Sequence, residues 1–168
     1  LKVDLEPKDN IGNVTVIKQG DIQVIRAGPG STNSEFNANK DKEVKLLQIW
    51  LFPKESNVTP RYDQISLKSL ERKNEFYQVL SPSKEDQGVW IHQNAWFHLG
   101  EFDAGGKHNY ALKDKSNGVY AFLIKGNATV EGQSLELRDG FGIWDTDKLE
   151  IEVEPNSKIL LMEVPMNI

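Results

Sequence analysis

Residues 118–144, GVYAFLIKGNATVEGQSLELRDGFGIW, carry the pattern that decides the fold. Val119 to Ile124 is a run of branched and aromatic side chains, Lys125-Gly126-Asn127 is a turn, Leu135-Glu136-Leu137 alternates, and Arg138-Asp139-Gly140 is a second turn. Outward from it the pattern repeats: Leu149 to Val153, then Glu154-Pro155-Asn156-Ser157, then Ile159 to Val164. Toward the start lie Val14 to Ile17, Ile22 to Ile25, Leu46 to Phe52 and Val89 to His92, with turns at Asn10 to Asn13 and at Gln19-Gly20-Asp21. Strand after turn after strand predicts an all-β sandwich or barrel. One stretch differs: Ser66 to Tyr77, SLKSLERKNEFY, places Leu67 and Leu70 at helical spacing behind a serine able to cap, and predicts one short helix between two halves.

Composition limits the function classes. A chain of 168 residues, 38% hydrophobic and 27% charged, is long enough for one sizeable core or two small ones. The 25 acidic against 20 basic side chains give a net charge of -5, so no general field attracts phosphate backbones or anionic lipid, and direct nucleic-acid binding is not expected. No cysteine is present, which excludes disulfides and thiolate ligands. No apolar run reaches the roughly 20 residues of a membrane span and the start carries no secretory signature, so the expected compartment is the cytoplasm. The chain starts at Leu1 rather than Met.

The two halves resemble each other. KVDLE (2–6) leading to KQGDIQVI (18–25) is echoed by KGNATVEG (125–132) leading to LRDGFGIW (137–144), and the first copy starts in mid-pattern. With these spacings, GDIQVIRAGPGSTNSEFN, LLQIWLFPKESNVTPRYDQ, DGFGIWDTD and ILLMEVP resemble the pirin-like family of double cupins along essentially the whole chain. The resemblance implies double-stranded β-helix (cupin) barrels: a bicupin whose first barrel is truncated (1–65), a linker with a short helix (66–80), and an intact second cupin (81–168). In the family the first barrel holds iron or another divalent metal through three histidines and a glutamate. Some members cleave flavonols such as quercetin with dioxygen, and others are linked to transcriptional co-regulation.

The sequence departs from that pattern at the metal. The family's His-x-His segment would precede Leu1 and has no equivalent, Asn33 stands where the family places histidine, and Glu35 is the one family ligand retained. One carboxylate and one carboxamide make a poor transition-metal site, because such ions draw much of their affinity from imidazole nitrogen. The expectation is therefore no cofactor and no catalytic residue, with iron or a similar divalent metal if the enzyme reading holds. Gln48 and Trp50 alternate along LLQIWLF; with Asn33 and Glu35 they line a tentative pocket if that face looks into the first barrel, whereas the plainer reading makes Trp50 core and Gln48 edge. Glu35 as a general base would need burial, against the alternative of a solvated turn residue. His92, His98 and His108 are read as structural or exposed, His108 as a loop residue after Gly105-Gly106. Trp90, Trp96 and Trp144 are read as core and rim packing. The AGPG turn at 27–30 lacks the Lys-Ser/Thr and the helix of a phosphate loop.

Two functions follow from the resemblance. One is a metal-free pirin-like module binding a small molecule or protein, with a possible homodimer through the exposed edge of the first half. The other is a quercetin 2,3-dioxygenase-like enzyme, or a fragment of one.

Overall fold

The structure, a computed structural model, describes residues 5–9, 16–26, 33–37, 39, 41–55, 58–59 and 61–167; for 5–9 and 33–35 it describes the backbone alone. The turn at 10–13, Val14-Thr15 and the AGPG turn lie outside the described residues.

The chain divides into two compact units, Leu1–Ser69 with Ile91–Gln93, and Leu70–Trp90 with Asn94–Ile168. The first contains β1 (Leu5–Asp9), β2 (Asp21–Arg26), β3 (Asn33–Asn37) and β4 (Arg61–Ser66). β1 pairs antiparallel with β3, and β2 with β4, Asp21 opposite Ser66 and Arg26 opposite Arg61. Gly20, at φ +84°, turns the chain into β2 through a conformation that L side chains rarely adopt.

The second unit holds β5 (Phe76–Ser81), β6 (Val89–Trp90), β7 (Trp96–Phe102), β8 (Gly106–Ala111), β9 (Asn117–Lys125), β10 (Ala128–Val130), β11 (Gln133–Leu135), β12 (Gly140–Ile143), β13 (Lys148–Val153) and β14 (Ser157–Pro165). Six of them form a sheet in the order β12-β9-β14-β7-β5-β6, and four form a second sheet in the order β11-β10-β13-β8. Every pairing is antiparallel except β5 with β6.

Alternation explains the core. Phe102 of β7, Val119, Ala121 and Leu123 of β9, and Ile159 and Leu161 of β14 lie on one face of the larger sheet, and Leu149, Ile151 and Val153 of β13 lie on one face of the smaller. All belong to one buried cluster, so the two sheets close face to face over it. Each aliphatic side chain buried this fully contributes about 1.5–3 kcal/mol. The barrel is thus filled by its own side chains rather than open.

Three sequence expectations change. The helix is a single 3-10 turn at Leu67–Ser69, and Phe76 and Tyr77 open β5 instead. Two leucines at helical spacing make less than a turn of apolar face, whereas FYQVLS has a β-rich composition and a neighbour, β7, to pair with. Leu46–Phe52 forms no strand. Its composition is that of a strand, but a ladder needs a partner, and no described strand runs beside it. His108 lies inside β8 opposite Ile151, not in a loop, because Gly106 already starts that strand.

Candidate functional site

Asn33 and Glu35 open the third strand, opposite Asp9 and Pro7 in the register with β1; their side chains are outside the described residues. Gln48 and Trp50 are both exposed among the described residues, Trp50 to 83%, so Trp50 is not core. Trp144 is likewise exposed, at 59%, whereas Trp90 and Trp96 are half-buried.

A shallow, open cleft of about 450 Å³ in the first unit is lined by Val16, Lys18, Asp21, Gln64 and Ser66 among others. Its polar groups are largely spent on one another. Gln64 Nε2 donates to Asp21 Oδ2 at 2.8 Å and to the Val16 carbonyl at 3.1 Å, Tyr62 donates to Gln64, and Lys18 N–H donates to Asp21 Oδ2 at 3.0 Å.

The densest chemistry lies inside the second unit. Glu163, 0% exposed, sits on β14 at the inward parity of Ile159 and Leu161. A carboxylate without solvent is expensive unless its lone pairs are occupied. Here Tyr110 Oη donates to Oε2 at 2.7 Å, Lys113 N–H to Oε2 at 2.9 Å, Asp114 N–H to Oε1 at 2.9 Å, and Asn117 Nδ2 to Oε1 at 2.9 Å. Two of these donors are backbone amides of the loop between β8 and β9. An Asx turn shapes that loop: Ser116 N–H and Oγ donate to Asp114 Oδ1 at 2.9 and 2.7 Å and hold that carboxyl below its usual range.

His98, 8% exposed on β7, completes the cluster with Nδ1 3.2 Å from Tyr110 Oη. The Tyr110 hydroxyl has one proton and gives it to Glu163, so the His98 contact assigns the proton to Nδ1 and leaves the lone pair on Nε2. Burial, assisted by the nearby Lys113 ammonium, pushes His98 down to about 4, so the ring is neutral at physiological pH. Burial, then the hydrogen bond and charge of Glu163, push the Tyr110 phenol up. His108, whose ring packs on Phe76 and Phe102, is also lowered by burial. His92 lies after β6 in the first unit, lowered by burial and by Arg26.

Among the described residues no three His, Asp or Glu side chains converge as a metal site would require. Of the buried groups, the Glu163 carboxylate is saturated by donors, while the His98 imidazole is engaged at Nδ1 and keeps its lone pair on Nε2. Sequence reasoning missed Tyr110, Asn117 and Glu163. A signal for Glu163 existed, since it is an acid at an inward position of an apolar strand.

The profile of the quercetinase C-terminal cupin domain matches residues 78–164, and that of Pirin matches residues 2–51. The quercetin 2,3-dioxygenase of Escherichia coli K12 is 30% identical over 167 residues, covering 98% of this chain and 70% of its own. The crystal structure of YhhW from Escherichia coli superposes with a TM-score of 0.90 at 28% identity, over 98% of this chain and 69% of that one. A second YhhW structure, in complex with nickel(II), gives 0.89 at the same identity and coverage. Both units find their counterparts in these relatives, and the chain belongs to the pirin-like quercetinase family of cupin proteins.

Proposed function

We propose that the chain is a metal-free pirin-like cupin protein of the cytoplasm, a binding or interaction module with a regulatory role, rather than an oxygenase. One observation carries this reading. At the position where the family resemblance puts a histidine ligand the chain has Asn33, and the described residues bring no replacement imidazole to a shared site. A carboxamide oxygen holds a divalent transition metal far more weakly than imidazole nitrogen does. Asn33 and Glu35 on β3 stay the proposed residues for ligand contact in the first unit.

A second reading has its own support. The relative from Escherichia coli is named quercetin 2,3-dioxygenase, YhhW forms a nickel(II) complex, and both cover 98% of this chain. The two are separated by elemental analysis of the purified protein together with oxygen uptake on quercetin. The interaction reading expects well under one transition ion per chain and no uptake above background, with or without added nickel or iron. Stoichiometric metal with quercetin-dependent oxygen consumption reverses it.

A further inference from the structure

The groups that hold Glu163 are each fixed by something other than its side chain. Tyr110 lies in β8 opposite Leu149 of β13, and Asn117 starts β9 opposite Pro165 of β14. The loop between them is tied to Asp147: Leu112 N–H donates to its C=O at 3.0 Å, and Lys115 Nζ lies 2.6 Å from its Oδ2. It is also tied to itself, because Asn117 N–H donates to Asp114 C=O at 3.0 Å and Ser116 donates twice to the Asp114 carboxylate. Lys113 and Asp114 therefore present successive N–H groups to the barrel interior without help from the acid they meet, a concave arrangement suited to an anion. The donors divide evenly between the two oxygens: Tyr110 Oη and Lys113 N–H reach Oε2, while Asp114 N–H and Asn117 Nδ2 reach Oε1. None of these donors carries a charge. Selection rests on hydrogen-bond geometry, since a carboxylate offers acceptors at both oxygens whereas a carboxamide turns its NH₂ toward half of the donors.

We propose that Tyr110, the Lys113 and Asp114 amides and Asn117 form a receptor for a small monocarboxylate inside the second unit, which the fold keeps occupied in cis with Glu163. The contact is an internal latch: the last strand, β14, supplies its side chain as the ligand of the loop between β8 and β9. His98 belongs to the receptor at one remove, because its Nδ1, 3.2 Å from Tyr110 Oη, turns the phenol proton toward the carboxylate. Being tethered, Glu163 is present at an effective concentration that no free carboxylate matches, so the parent protein takes none up. Glu163→Ala removes Cγ and the carboxylate, and acetate is that fragment atom for atom. The vacated receptor then binds acetate from solution.

The latch is independent of the metal reading, because its test reads ligand-dependent stability rather than turnover. The melting temperature of Glu163→Ala at neutral pH is followed against sodium acetate, with acetamide and sodium chloride as matched controls. Acetate at about 100 mM is a sufficient upper limit, since so small a ligand binds no tighter than roughly tens of micromolar and about a hundredfold excess over Kd moves a midpoint by several degrees. The expected result is a saturable rise of at least about 5 °C with acetate in the variant, and none with either control or in the parent protein. In Glu163→Ala/Tyr110→Phe, which lacks one donor, the apparent affinity should fall at least about tenfold. No acetate response, one shared by the parent, one matched by acetamide, or one that Tyr110→Phe leaves unchanged would each overturn the proposal. Where Glu163→Ala is unfolded by itself, the same titration is read as refolding by circular dichroism, and a chain that acetate leaves unfolded overturns it as well.

Discussion

Tyr110 gives its only hydroxyl proton to Glu163 over 2.7 Å in the interior of the second unit, so a buried anion is held by a phenol from the opposite sheet. The consequence for substitution is direct. Glu163→Gln replaces an acceptor oxygen with an NH₂ that faces donors, and should destabilise by about 3 kcal/mol, since removing one side of a buried polar network leaves the others unpaired. Tyr110→Phe removes one of four bonds and should cost about 1–2 kcal/mol. Urea unfolding at neutral pH measures both; equal losses would show that the carboxylate is not the hub.

The neutral His98 makes stability depend on pH. Folded, it titrates at about 4; unfolded, near the ordinary 6.5. Above pH 6.5 neither state is protonated and its contribution is complete. Between about 6.5 and 4 the unfolded chain takes up a proton that the folded chain refuses, so stability falls as pH falls, by up to about 3 kcal/mol from this residue. His98→Gln should flatten the difference between pH 7.5 and pH 5 relative to the parent protein. A parallel pH profile for the two proteins would refute the assignment.

Two glycines with positive φ should respond unequally to alanine. Gly88, at φ +96°, would place a methyl 2.3 Å from the Val79 backbone, so Gly88→Ala should cost more than about 2 kcal/mol. Gly132, at φ +79° beside Glu131 at φ +48°, closes the hairpin between β10 and β11 over open space. Gly132→Ala then pays for backbone conformation alone, about 1 kcal/mol. Thermal melts of the two variants give the ranking.

Chelator should leave the melting temperature unchanged within about 1 °C, and millimolar nickel should not raise it. A resident ion bound only by the folded state would contribute RT ln(1 + [L]/Kd), several degrees at saturation. Differential scanning with and without chelator decides this.

In the second unit β6, β9, β13 and β14 were legible from periodicity, because LEIEV and ILLMEV declare an inward face and glycine- and asparagine-bearing turns bound the runs, whereas β7, β8, β10 and β12 were not read as strands. β5 was missed because FYQV follows a short charged stretch with two leucines at helical spacing, and only its pairing with β7 resolves the choice. Leu46–Phe52 erred the other way: its composition promised a strand, but pairing is a property of neighbours. The Glu163 cluster was out of reach as a constellation, since Tyr110 and Glu163 are 53 residues apart and meet only when the two sheets close.

The loop from Leu112 to Ser116 is solvent-facing by sequence, yet two of its amide protons point into the barrel and end on a carboxylate that water does not reach. Deuterium should therefore enter Lys113 and Asp114 at the pace of the deepest strands rather than of a surface turn. The rim would then open only when the whole unit does.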